Sequence, residues 1–168
     1  MKITDLPEFG GALGAGLFGG VYMLNAVQYA LAVAPKSYEK TGVVVADGAA
    51  MNGAKSYEDG FANTVSLASS AAGVAAEIRA ITLPDSADLY IPSRDELATI
   101  MINVSGYPSS ALAVGADEGF DAVPYLTSTA LGTALLWNQN PYYGWQAQDS
   151  INEPMRVRPI WRIALEEV

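Results

Sequence analysis

Apolar and polar positions change period several times along this chain. Over residues 28–34 they alternate in twos: Tyr29, Leu31 and Val33 share one face and Ala30, Ala32 and Ala34 the other, which predicts a strand. An earlier strand is predicted over 20–24, with a turn at Asn25 and Ala26 joining the two. Pro35 and Lys36 end the second strand, and the short β-branched run 41–46 predicts a third. The period then becomes helical. Tyr57, Phe61, Val65 and Ala68 fall on one stripe, Ser56 suits an N-cap, and Glu58 and Asp59 place acid in the first turn. A helix is therefore predicted over 57–69, slightly weakened by Gly60, with another turn or two of helix over 71–79.

The sharpest local signal is Pro92-Ser93-Arg94-Asp95-Glu96. Ser93 can accept the Glu96 amide hydrogen while the Glu96 carboxylate reaches back to the Ser93 amide. Leu97, Ile100, Met101 and Val104 follow at i, i+3, i+4 and i+7, so a helix is predicted to run to Ser105 and Gly106. Residues 107–124 read as a loop broken by Pro108, Gly115, Gly119 and Pro124. Short strands are predicted over 125–129, 134–137, 144–148 and 155–164, with a polar and aromatic loop between Trp137 and Gly144.

Residues 9–35 carry no charge apart from their flanks, which raises the question of a membrane span. Six glycines crowd the first half, and Asn25 and Gln28 interrupt the second, so the two-strand reading is preferred. Lys2 is offset by Asp5 and Glu8, so the start lacks the basic character of a secretory leader. The 168 residues suffice for one domain, and 51% hydrophobic against 16% charged residues allow a core built largely from small side chains. Nine basic and 18 acidic residues leave a net charge of −9, which argues against nucleic acid and against an anionic membrane surface. With no Cys and no His, disulfides, thiolate nucleophiles and imidazole-based triads or metal sites are excluded.

Several segments together carry a resemblance. Tyr29 to Lys36 reads YALAVAPK, Ser56 to Thr64 reads SYEDGFANT, Leu89 to Leu97 reads LYIPSRDEL, Tyr125 to Thr129 reads YLTST, and Arg156 to Arg162 reads RVRPIWR. Their order, with Trp137 on an intervening strand, resembles the phage and bacterial C-type-lectin-like family related to the C-terminal domain of collagen-like adhesins. That family shows YALIVAPK, SYxDGxANT, WYLPSxDEL, YWSST and RVRPVRR. The strand motif departs here, with Leu126 and Thr127 in place of Trp and Ser. The resemblance implies an α+β, C-type-lectin-like fold with two helices packed on short antiparallel strands, and a phage or prophage source. It also implies a ligand surface around residues 107–124 and 137–150. The expected organisation is a glycine-rich N-terminal arm over 1–18 and one domain over 19–168.

Within that surface Asn138, Gln139, Asn140, Tyr142, Tyr143 and Trp145 have the composition of a paratope, rigid aromatics beside adaptable amides. The competing reading is a hairpin loop whose aromatics pack on the domain edge. Trp137 and Trp161 are assigned to the core. Gly10, Gly11, Gly14, Gly16, Gly19 and Gly20 are candidates for an assembly arm, since a glycine backbone permits close approach. Asp117, Glu118 and Asp121, with Asp85 and Asp88, are weighed as calcium ligands against solvated loop acids, and the second reading is preferred. The Glu-Pro-Asn sugar signature is missing, since Glu153-Pro154 is followed by Met155. Arg156, Arg158 and Arg162 either meet an anionic ligand or pair with acids of the chain, and pairing is preferred.

The resemblance thus implies a virion role, and the expected protein is a non-enzymatic virion surface protein, a capsid decoration or tail-associated protein displaying a binding loop. Its expected partners are other virion proteins in a homo-oligomer or lattice, and a host surface glycan or protein. No metal, cofactor, nucleic acid or membrane span is expected. A host-receptor or glycan-binding adhesin is the alternative, and a carboxylate-dependent hydrolase a distant one.

Overall fold

The computed structural model describes residues 1–84 and 88–166. It is mixed α+β, with two sheets and helices packed between and beside them. The first sheet has the order β1-β2-β3-β9, with β1 at Ala12–Leu13, β2 at Gly16–Leu24, β3 at Val27–Val33 and β9 at Ile160–Ala164. The second has the order β4-β8-β5-β6-β7, with β4 at Lys40–Gly42, β5 at Tyr125–Leu131, β6 at Leu135–Gln139, β7 at Gln146–Ser150 and β8 at Met155–Val157. The pairs are antiparallel except β5 with β8, where Tyr125 meets Arg156 in parallel. The expectation of antiparallel strands alone is corrected at that one junction.

Three α-helices connect the sheets: α1 at Gly60–Ala68, α2 at Val74–Arg79 and α3 at Arg94–Gly106. Helix α3 starts where Ser93 and Glu96 complete the reciprocal capping box, and it buries Leu97, Ile100, Met101 and Val104 against β2 and the second sheet. Helix α1 starts three residues later than its apolar stripe suggested. Asp59, not Ser56, is its N-cap, accepting from the Ala62 amide. The Ser56 hydroxyl is engaged one turn earlier by the Glu58 and Asp59 amides.

The predicted strand 155–164 is two strands in two sheets. Pro159 interrupts it, and the chain passes from β8 into β9. This crossing ties the sheets together and carries Trp161 into the core, where its ring lies against Gly16. The predicted strand 41–46 shortens to β4, and Val44 receives the Ala75 amide at the start of α2.

Residues 10–20 are not a free arm. They form β1 and most of β2, and the expected boundary at 18/19 falls inside β2. The Gly10 amide bonds the Phe18 carbonyl at 2.8 Å, and the Phe18 amide bonds the Gly11 carbonyl at 2.8 Å. Gly14 makes the β1–β2 turn at φ +57°. A Cβ on Gly16 would lie 2.4 Å from the Val33 carbonyl oxygen and 2.5 Å from the Trp161 ring. One on Gly19 would crowd Val33 and Ile100, and Gly20 lies against Asn103. These glycines serve close packing within the chain, and the arm assignment of Gly10, Gly11, Gly14, Gly16, Gly19 and Gly20 is corrected accordingly. Among the described residues, no helix is long and apolar enough to cross a membrane.

Candidate functional site

The segments that carried the resemblance converge on a buried polar hub. The Glu96 carboxylate, wholly buried, accepts the Gly60 amide at 3.1 Å, the Ser93 amide at 2.8 Å and the Tyr90 hydroxyl at 2.7 Å. Arg162 stands 3.5 Å from it and 3.0 Å from Asp59. Asn63 donates to the Ser56 carbonyl at 2.6 Å, and the Thr64 hydroxyl donates to the Gly60 carbonyl at 2.7 Å and accepts the Ile91 amide at 3.0 Å. Thr129 donates to the Ser56 carbonyl and accepts the Arg94 amide, while the Ser128 hydroxyl meets the Pro92 carbonyl. Burial makes Glu96 harder to ionise than an ordinary glutamate, against the opposing pull of the Ser93 and Tyr90 hydrogen bonds and the Arg162 charge. Burial also pushes the Tyr90 hydroxyl far up, and the Glu96 charge adds to that. The hub joins α1, α3, β5 and β9, with Glu96 fully buried at its centre and Asp59 and Arg162 partly exposed at its edge.

A second network pins the long loop 107–124. The Arg158 side chain is fully buried and donates to the Ala34 carbonyl at 2.7 Å and the Glu118 carbonyl at 2.9 Å, with Glu39 at 3.5 Å. Burial depresses its pKa, opposed by Glu39, Tyr125 and Glu118. Arg156 pairs with Glu39 and Asp121, and Lys36 Nζ lies 2.7 Å from Asp121. Glu118 Oε2 accepts the Lys36 amide at 2.7 Å. Glu118 and Asp121 are therefore paired rather than simply solvated, which corrects the reading of them as free loop acids. Asp88 pairs with Arg79 at 3.3 Å, and Asp85 lies outside the described residues. Among the described residues no group of three or more acids stands together as metal ligands. Arg156 and Arg158 serve this network and Arg162 the hub, so all three pair with acids of the chain.

The six residues proposed as a paratope divide into two sets. Asn138, Gln139 and Asn140 are buried, at 1%, 6% and 3% exposure, so they are not contact residues in this structure. Asn138 donates to Asp149 at 2.6 Å, and Gln139 accepts from Gln146 at 3.2 Å. Asn140 Oδ1 accepts the Tyr142 amide at 2.9 Å and the Tyr143 amide at 3.0 Å, and its carbonyl accepts the Gly144 amide. Gly144 at φ +72° turns the chain back, and the Asn140 amide closes the loop on the Trp145 carbonyl. The result is a braced loop presenting Tyr142, Tyr143 and Trp145 at 65%, 69% and 44% exposure. The two tyrosine rings meet edge to face at 4.9 Å. Tyr142 also walls a cleft of about 300 Å³, with Pro141 beside it and Val104, Pro108 and Val114 opposite.

Sequence reasoning missed the face next to this loop. Trp137 is half-buried rather than in the core, and the Arg94 guanidinium lies over its ring at 4.5 Å and over the Tyr57 ring at 5.1 Å. Arg94 Nε donates to Gln146 Oε1 at 2.9 Å. The four residues come from the segment before α1, the first turn of α3, β6 and β7, so no local pattern joins them. Trp161, by contrast, is fully buried as expected. Compared with known proteins, the chain matches no family model and no curated protein sequence.

Proposed function

We propose that this chain is a non-enzymatic binding domain with a C-type-lectin-like fold, carried on a phage virion surface as a decoration or tail-associated protein. The 142–145 loop and its adjoining cleft are its contact surface. One observation carries the binding part: three large aromatics stand exposed on a loop whose conformation is set by buried Asn140. Exposed aromatics on a rigid support contribute contact area at low entropic cost. The lectin-like part is supported by the meeting of the motif segments at one hub, the arrangement expected if those segments preserve a frame while loops vary. The virion placement rests on the resemblance. The non-enzymatic reading is supported by Glu96, the carboxyl with the most altered surroundings, being sealed from any substrate.

A second reading, an adhesin whose main role is to hold a host glycan or protein, uses the same loop. A side-chain-resolution structure of the protein on its purified native particle tests both. The expected result is a chain anchored to other virion proteins with Tyr142, Tyr143 and Trp145 facing solvent. If those rings are buried in a repeating contact, the protein is structural and the contact-surface reading fails. Absence from the particle overturns the virion placement.

A further inference from the structure

We propose that Arg94 is a carboxylate-recognition residue on the face of β6 and β7 beside the 142–145 loop, so that the ligand of this face is a saccharide bearing a carboxylate. The inference rests on the binding reading above and specifies its ligand.

Arg94 differs from every other arginine described. Arg79, Arg156, Arg158 and Arg162 each stand within 4.0 Å of a carboxylate, whereas among the described residues Arg94 has no acidic partner. In a chain with twice as many acids as bases, such a vacancy is not forced by composition. The position is also electrostatically unfavourable in isolation. Arg94 opens α3, where the helix dipole repels a cation.

The side chain is nevertheless fixed. Its guanidinium lies over the adjoining Trp137 and Tyr57 rings, and its Nε is held by Gln146. Gln146 is itself anchored to Gln139, and it follows Trp145 directly in the chain, so the brace on Arg94 is continuous with the aromatic loop. With Nε engaged, the two terminal nitrogens form the fork that matches a planar carboxylate in bidentate fashion.

The surroundings favour a saccharide. The exposed Gln148 amide, paired with Trp137 in the β6–β7 register, both donates and accepts, as hydroxyl groups require, and Tyr57 and Trp145 are exposed rings. The net charge of −9 repels dense polyanions, so a single guanidinium suits isolated carboxylates on an otherwise neutral sugar chain rather than a sulfated polymer or nucleic acid.

The test uses the whole protein. Immobilised oligosaccharides bearing glucuronic acid or N-acetylneuraminic acid are compared with their carboxyl-reduced counterparts. The expected result is roughly tenfold or greater preference for the carboxylated form, as for a charge-assisted hydrogen-bonded pair. Arg94→Gln then removes the preference, and Arg94→Lys restores only part of it. Equal binding of the two forms by the unaltered protein overturns the proposal without relying on any variant. So does an unchanged preference in Arg94→Gln, or carboxylate-dependent binding confined to acidic peptides. A parallel assay of attachment to host cells separates the two levels. If attachment needs Tyr142 and Tyr143 but ignores Arg94 and carboxyl reduction, the contact loop stands and this proposal falls. If attachment ignores all three residues, both fall.

Discussion

The Gly60 amide lies 3.1 Å from Glu96 Oε2, and a methyl group on Gly60 would sit 2.4 Å from that same oxygen and 2.4 Å from the Ser93 nitrogen. The first turns of α1 and α3 thus meet through one carboxylate oxygen, at a distance only glycine permits. Gly60→Ala should destabilise the fold by about 3 kcal/mol by overpacking, despite the higher helix propensity of alanine. Chemical denaturation of the two proteins measures this, and a stabilised variant would refute it.

Glu96 supplies a pH signature. Its carboxyl ionises less readily in the fold than in the unfolded chain, where the ordinary value is 4.5. The folded state therefore holds this proton more tightly. Its contribution to stability is full below the unfolded value and is lost as pH rises through the higher folded one. Glu96→Gln removes that dependence. The stability of the unaltered protein relative to Glu96→Gln should fall as pH rises from 4.5, read from urea denaturation across a pH series.

Asn25 and Ala26 form the two-residue β2–β3 turn at φ 50° and 63°, with Leu24 paired to Val27. Both centres lie in the left-handed region, which suits asparagine and penalises alanine. Ala26→Gly should stabilise the protein by about 1 kcal/mol and raise Tm by roughly 2–4 °C. Calorimetry tests it; an unchanged or lowered Tm counts against it.

The contact loop should separate from its brace. Tyr142→Ser with Tyr143→Ser removes exposed rings and should leave stability within about 0.5 kcal/mol while abolishing binding. Asn140→Ala removes a buried acceptor from two amides and should cost about 2 kcal/mol and disorder the loop. Thermal melts and amide exchange over residues 141–145 distinguish the two variants.

Arg158 anchors the long loop from the core. Arg158→Ala leaves the buried Ala34 carbonyl and the Glu118 carbonyl without this donor and Glu39 with one cation fewer, and should cost about 3–5 kcal/mol. Limited proteolysis should then cut within residues 107–124, a segment protected in the unaltered protein.

Local chemistry sufficed for much of this protein. The Ser93–Glu96 capping box and the apolar stripe of α3 involve residues within a turn or two of one another and reappear in the structure where the sequence placed them; β3 also forms as a strand, but Ala30 to Val33 are buried on both faces rather than alternating. The exposed half of the aromatic loop was legible for the same reason, since Pro141 and Gly144 mark a turn by their backbone restrictions alone. Partners brought together by strand pairing, loop closure or packing were not legible. Composition made residues 10–20 resemble a flexible arm, because small size reads as freedom until Trp161 and Val33 are brought against Gly16. Asn138, Gln139 and Asn140 resembled contact residues until Asp149, Gln146 and the loop amides claimed them. Arg94 carried no role in the sequence beyond its place in the capping motif, and only the approach of Tyr57, Trp137 and Gln146 from three other segments made it a fixed cation. A hydrogen bond or a ring stack depends on separation in space. Where strand pairing or the packing of separate segments closes that separation, the tertiary structure decides which polar group is buried and which is presented.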